Sequence, residues 1–268
     1  MSHQSYGVTE QSSGQHELHE SLEEIKRYGY TILDSRLSEA RLDLIEKKIE
    51  RCLATYEERH TLAFLESIDE HNTIRAPFLL DPVFLEICFN ERLMDLISLV
   101  MGDNFIVNQQ NVVINPSRER YSQSLWHRDL PYQHFTSSRP LAINALFCIN
   151  DFTLSNGCTR LLPSSHLFES FPSERFIEKN QRPVEAVRGS FLVLDSMTYH
   201  SGSQNNSEAD RIGVNNVFSI PLIKRQIEIS EKDFYYDISR LNKSNFQKLV
   251  SFPTPKSVSA FLDQRVAR

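Results

Sequence analysis

A histidine and an aspartate stand two residues apart in Leu125-Trp126-His127-Arg128-Asp129-Leu130. In an extended segment, side chains at i and i+2 project to one face. His127 and Asp129 therefore aim an imidazole nitrogen and a carboxylate oxygen at one point, and Arg128 points away. A third donor lies much further along, at His200 in Met197-Thr198-Tyr199-His200-Ser201-Gly202. Two imidazoles and one carboxylate make the facial set that holds non-haem Fe(II) and leaves positions open for a co-substrate and oxygen. The same donors also suit a zinc hydrolase with an open fourth position.

Two further runs surround this set. Asn156-Gly157-Cys158-Thr159-Arg160-Leu161-Leu162-Pro163-Ser164-Ser165-His166 lies between the donors, and Arg211 follows His200 by eleven residues. Taken in order, Trp-His-x-Asp-Leu, Asn-Gly-Cys with Leu-Pro-x-x-His, and His with a later Arg resemble the phytanoyl-CoA dioxygenase family. That family comprises Fe(II)- and 2-oxoglutarate-dependent oxygenases. The likeness spans roughly 104 to 223, with a looser echo in Tyr28-Gly29-Tyr30.

The resemblance implies a mainly β fold with flanking helices, a double-stranded β-helix or cupin-like jelly roll. It implies that His127, Asp129 and His200 are the iron ligands and catalytic centre. Arg211 would anchor 2-oxoglutarate, since a planar guanidinium pairs with a carboxylate through two parallel bonds and Lys cannot. Asn111 and Asn115 share one face of the strand before the iron motif, and Asn144 faces the same way as Leu146. Asn111 and Asn115 resemble family positions that bind the co-substrate's carboxylate end, and Asn144 is a further candidate for binding it. His166 belongs to a run that is structural in the family and is left out of the metal set. His134 follows the motif by seven residues and could touch substrate. Family members often carry an aromatic or Ser contact to the co-substrate near the distal His; here the second residue after His200 is Gly202.

The reaction implied is oxidative decarboxylation of 2-oxoglutarate by O2 to succinate and CO2, with hydroxylation of an unactivated C–H and ascorbate as a reductant. Related halogenases replace the carboxylate ligand by a small residue to admit chloride, so Asp129 favours hydroxylation. A zinc hydrolase would have no need of Arg211. A non-catalytic jelly-roll binding protein would have no need of all four residues.

Composition narrows the partners. The 268 residues are 40% hydrophobic and 24% charged, with a formal net charge of −6. That balance argues against nucleic acid or anionic membranes as the main partner, and leaves a small-molecule substrate, a metabolite or biosynthetic intermediate. The sequence does not set the oligomeric state. Cys52, Cys88, Cys148 and Cys158 form no Cys-x-x-Cys pair, which reads as free thiols in a reducing, cytoplasmic setting. Met1 to Gln15 contains no apolar leader, and no run approaches membrane-span length.

The elements that must position the site follow from periodicity. Residues 1–17 read as a disordered tail, and 18–268 as a single dioxygenase domain: a helical part over 18–103, a jelly-roll core over about 104–223 and a helical part over 230–268. Ser21-Leu22-Glu23-Glu24 fits a capping box that would open a helix, with Gly29 as its C-terminal cap. Tyr30 to Leu33 reads as a strand. Leu42, Ile45, Ile49 and Leu53 form the apolar stripe of a helix beginning at Ser38. Asp81-Pro82 and Asn90 are helix starts, the second leading through Leu93, Leu96 and Leu99. Strands are expected over 105–115, around the His-x-Asp motif, and over 141–149, 158–162, 189–194 and 212–220. Phe246, Leu249 and Val250, then Val258, Phe261 and Leu262, return to helical spacing. The substrate pocket would be built by the N-terminal helices, His134 to Pro140 with Tyr132, Phe135 and Arg139, and Phe168 to Arg182.

Overall fold

A computed structural model describes residues 17–130, 136–239, 241–250, 257–259 and 262. Most of the tail, and Tyr132, His134, Phe135 and Phe261, lie outside the described residues. Two antiparallel sheets form the centre. The larger has six strands in the order β1-β7-β4-β9-β3-β2, and the smaller three in the order β6-β5-β8. The strands are β1 (Tyr30–Asp34), β2 (Thr73–Arg75), β3 (Ile106–Asn115), β4 (Ala142–Cys148), β5 (Thr159–Leu161), β6 (Arg182–Val184), β7 (Ser190–Asp195), β8 (His200–Ser201) and β9 (Arg211–Ser219). Helices α1 (His19–Tyr28), α2 (Glu39–His60), α3 (Leu62–Ser67), α4 (Val83–Cys88) and α5 (Glu91–Met101) precede the long strands; α6 (Glu174–Asn180) and α7 (Lys243–Val250) come later. This is the jelly-roll arrangement that the motifs implied.

Alternation along the strands makes two faces. Phe191 and Val193 on β7, and Val214 and Phe218 on β9, join one large core with Ile25, Ile45, Ile49 and Leu96 from the helices. Each such side chain taken from water contributes about 1.5–3 kcal/mol. Leu192 and Leu194 turn the other way and meet Leu161 and Val184 of the smaller sheet. The functional residues lie on this second, inter-sheet face.

The apolar stripe of α2 is buried as expected at Leu42, Ile45 and Ile49. Asn90 Oδ1 accepts the Leu93 N–H and caps α5; at α4 the cap position is Pro82 rather than Asp81, and Asp81 Oδ1 accepts the Val83 N–H. Leu93 and Leu96 are buried in α5, whereas Leu99 is 39% exposed and lies off the stripe. In α7, Leu249 is buried, but Val258 and Leu262 are exposed.

The start of α1 departs from the reading. The helix begins at His19 with Leu18 at the cap position, a residue whose side chain makes no capping bond. Ser21 is inside the first turn. Leu18 is only 1% exposed and its carbonyl accepts the Leu22 N–H. A cap is worth about 1 kcal/mol, less than burying one leucine, so packing sets the boundary. Gly29 does end the helix, at φ 84°.

The His-x-Asp segment is not a ladder strand. It is joined to β8 by the single His127–His200 bridge, 2.9 Å and 3.1 Å N···O. β8 has two residues, so no longer ladder is available; the Asp129 N–H donates instead to the Ser196 carbonyl at 3.1 Å. The "helical" region before residue 104 also supplies both edge strands of the large sheet, β1 and β2. Three-residue β2 and β6 carry too few residues to show a period in the sequence.

Candidate active site

His127, Asp129 and His200 each offer a ligand atom, all within 4.8 Å of one another. His127 Nε2 lies 3.9 Å from Asp129 Oδ1, and His200 Nε2 lies 3.6 Å from Asp129 Oδ2. The ring centroids are 4.3 Å apart. Each Nδ1 meets a backbone carbonyl two residues earlier: Leu125 at 2.7 Å for His127, and Thr198 at 3.0 Å for His200. A carbonyl only accepts, so both Nδ1 atoms carry the proton and both Nε2 lone pairs face the centre. Burial holds the His200 imidazole below its ordinary value, and His127 adds to this; Asp129 and the Thr198 carbonyl oppose it. The ring is thus a neutral donor at physiological pH.

Arg128 does point away from its neighbours, and it anchors the opposite side. It is buried and donates to the carbonyls of Met197 at 2.6 Å, Ser165 at 3.0 Å and Glu169 at 3.1 Å, and to that of Phe168. Its guanidinium carbon lies 3.9 Å from the Tyr199 ring centroid. This one side chain ties the His-x-Asp segment to the turn that presents His200. Asp195 closes that turn from within, accepting the Met197 N–H at 2.8 Å. Burial pushes the Asp195 carboxyl up to about 6, against the lowering effect of the Met197 N–H and of Arg128.

A cavity of about 60 Å³ opens at the three donors, and Arg211, Asn144, Asn215, Tyr121 and Thr159 contribute to its wall. Arg211 is 2% exposed. Its guanidinium carbon lies 4.4 Å from the Phe152 ring centroid and 5.5 Å from that of Tyr121. Among the described residues its Nε and Nη1 have no hydrogen-bond partner. A buried guanidinium left so costs several kcal/mol unless an anion completes it.

The amides fall in different places. Asn144 reaches the cavity, but its amide donates to Asp129 Oδ2 and so orients the carboxylate donor. Asn111 shares the face of β3 with the cavity-lining Val113, yet is not itself in the wall; its Nδ2 meets Gln109 Oε1 at 3.4 Å. Asn115 Nδ2 donates to the Ser203 carbonyl at 2.9 Å and holds a loop. Asn215, opposite Asn111 in the β3–β9 register, lines the cavity with a buried, unpartnered Oδ1. Asn215 belongs to none of the sequence motifs, although alternation from Arg211 along β9 places it on the same face. Tyr121 carried no local signal at all.

His166 is not among the clustered donors; its Nε2 lies 3.3 Å from the Lys26 carbonyl. Phe168 and Phe176 line a separate surface groove with Leu162 and Pro163. The four cysteines are free and buried, and burial pushes Cys52 up to about 11 and Cys148 to about 12. Among the described residues no helix is long and apolar enough to cross a membrane.

The pattern of the family described as phytanoyl-CoA dioxygenase (PhyH) matches residues 25–213. The chain belongs to the phytanoyl-CoA dioxygenase family. As a member of it the protein is an oxygenase. This family member is 28% identical to the uncharacterised protein Rv1501 of Mycobacterium tuberculosis over 75% of its own length and 74% of the relative's. It is 24% identical to dioxygenase af480 of Aspergillus fumigatus, over 74% and 65%. Among solved structures it resembles EctD from S. alaskensis with 2-oxoglutarate and 5-hydroxyectoine, at TM-score 0.66 and 18% identity over 79% of both chains. It also resembles SnoK, an alpha-ketoglutarate-dependent carbocyclase of nogalamycin biosynthesis, at TM-score 0.57 and 15% identity over 75% and 83%. At these identities the structural likeness bears on the fold.

Proposed function

We propose that the protein is an Fe(II)- and 2-oxoglutarate-dependent dioxygenase that hydroxylates an unactivated C–H of a small metabolite or biosynthetic intermediate, with release of succinate and CO2. The observation that carries this reading is Arg211: a buried guanidinium with unpartnered N–H groups, in the wall of the same cavity as two Nε2 donors and a carboxylate. A zinc hydrolase would leave that cation unexplained. The donor set fits Fe(II) in kind, with borderline nitrogen ligands and one oxygen, and the guanidinium fits the distal carboxylate of a five-carbon 2-oxo diacid.

When bound, iron and 2-oxoglutarate would together supply the electrons that activate dioxygen, and so the power to break the C–H bond. The chain supplies position. The Leu125 and Thr198 carbonyls set the tautomers of His127 and His200. Asn144 fixes the carboxylate of Asp129. Arg211 would orient the co-substrate by its far end. Asp129 would hold the metal where a chloride would otherwise bind, and its charge would disfavour a second anion there. Free buried thiols are consistent with action in a reducing compartment.

The test is succinate release from 2-oxoglutarate over metabolite pools, with Fe(II), O2 and ascorbate, followed by mass analysis in chloride buffer. The active substrate should gain one oxygen and no chlorine isotope pattern. His200→Ala and Asp129→Ala should abolish turnover and metal binding. Full activity in His200→Ala, or turnover with Zn(II) alone, would sink the reading.

A further inference from the structure

The two-residue step beyond the distal histidine holds no side chain, and the space is filled from elsewhere. A Cβ built on Gly202 would lie 2.7 Å from Tyr121 Cδ1 and closer still to Cε1. The Tyr121 ring thus takes the volume that a residue-202 side chain would use. Tyr121 is 6% exposed, belongs to the cavity wall, and stands over Arg211. Among the described residues no protein group is bonded to its hydroxyl, and its place in the cavity wall leaves the phenol able to meet a ligand there.

We propose that Tyr121 is a co-substrate-binding residue: its hydroxyl donates to the distal carboxylate held by Arg211, in place of any side chain at 202. This rests on the 2-oxoglutarate reading above. An ionised carboxylate offers about four lone-pair sites. A guanidinium fork fills two, and a buried carboxylate needs the others met. Arg211 supplies the charge and Tyr121 the additional donor. Gly202 is required because any Cβ there would displace the ring. The departure from the family's pattern at Gly202 and the presence of Tyr121 are then one exchange, made between segments about eighty residues apart in the chain.

Equilibrium binding to the Fe(II)-loaded protein without oxygen, followed by calorimetry, tests this with two probes. 2-Oxoglutarate carries the distal carboxylate; pyruvate keeps the 2-oxo acid head and lacks it. Tyr121→Phe retains the ring. It should weaken 2-oxoglutarate about tenfold or more, the worth of a hydrogen bond to a charged group, and leave pyruvate unchanged. Gly202→Ser alone should weaken 2-oxoglutarate by pushing the ring aside. In a Tyr121→Ala background, Gly202→Ser should recover part of the lost affinity. Unchanged 2-oxoglutarate binding in Tyr121→Phe overturns the assignment, as does an equal loss for both probes, which marks a packing role. No recovery in the double variant overturns the exchange. Arg211→Met separates the two levels: if it loses 2-oxoglutarate while Tyr121→Phe does not, only Tyr121 falls. If neither the native protein nor the variants bind 2-oxoglutarate, the co-substrate reading itself falls.

Discussion

Replacing Arg211 by Met keeps an unbranched stem between Phe152 and Tyr121 and removes the charge. The structure predicts opposite effects on the free and liganded protein. Without co-substrate, Nε and Nη1 are buried and unpartnered among the described residues, so the native residue is a liability of several kcal/mol. Arg211→Met should therefore match or exceed the native stability. With co-substrate the sign reverses. Losing a charge-assisted pair costs about 1.5–3 kcal/mol, about ten- to a hundredfold in dissociation constant. At a ligand concentration of about 100 times the native dissociation constant, binding stabilises the native protein by about 2.7 kcal/mol. The same concentration stabilises the variant by about 1.4 kcal/mol for a tenfold loss, and about 0.4 kcal/mol for a hundredfold loss. At about 2–4 °C per kcal/mol for a chain of this size, the native shift of about 5–11 °C should fall by half or more. Thermal unfolding of the metal-loaded protein with and without 2-oxoglutarate reads both effects, and Arg211→Lys should restore only part of the shift because the fork is lost. An undiminished shift in Arg211→Met would refute the anchor.

Asn144→Ala removes the amide that holds Asp129; metal affinity measured by chelator competition should fall about 10–100-fold, whereas Asn111→Ala, off the cavity wall, should leave it unchanged. Equal effects would reject the division between these amides. Asp195 is raised from an ordinary value near 3.9 to about 6, so the folded state holds its proton more tightly than the unfolded one. Its protonated form favours the fold below about pH 4, and that advantage is lost as pH rises to about 6. Asp195→Asn should remove this slope and add about 2–3 kcal/mol above pH 7; parallel pH–stability curves for the two proteins would contradict it. Gly29→Ala combines a left-handed backbone with a Cβ 2.6 Å from His166 Nδ1 and against Thr198 Oγ1. Denaturant unfolding should show a loss of about 2–4 kcal/mol, and a neutral change would mean that the α1–β1 corner is looser than the structure has it.

The grouping of His127 with Asp129 was legible in the chain because the two are near neighbours, whereas His200 came only from a motif order that resembles a family. The i, i+2 spacing of an extended segment suggests one face for His127 and Asp129 and the other for Arg128, while the His200 bridge, Asn144 and the carbonyls that Arg128 meets hold them there. Arg211 was legible from its place after His200 within a motif order that resembles a family, and the helix stripe of α2 from its 3.6-residue period. What the sequence could not decide is which groups meet across distance. Asn144 and Asn111 look alike on paper, as polar residues on inward faces; only the sheet order puts one against Asp129 and the other beyond the wall. Ser21 offers a sound capping box, yet burial of Leu18 outweighs it, because the worth of a buried leucine depends on a core assembled from segments far away. The bridge of His127 to His200 joins residues 73 positions apart, and the Tyr121 ring over Gly202 joins segments about eighty apart. Such contacts carry no period and no motif, since a side chain's neighbours across a jelly roll are set by how the strands are ordered and twisted, which no stretch of the chain contains by itself.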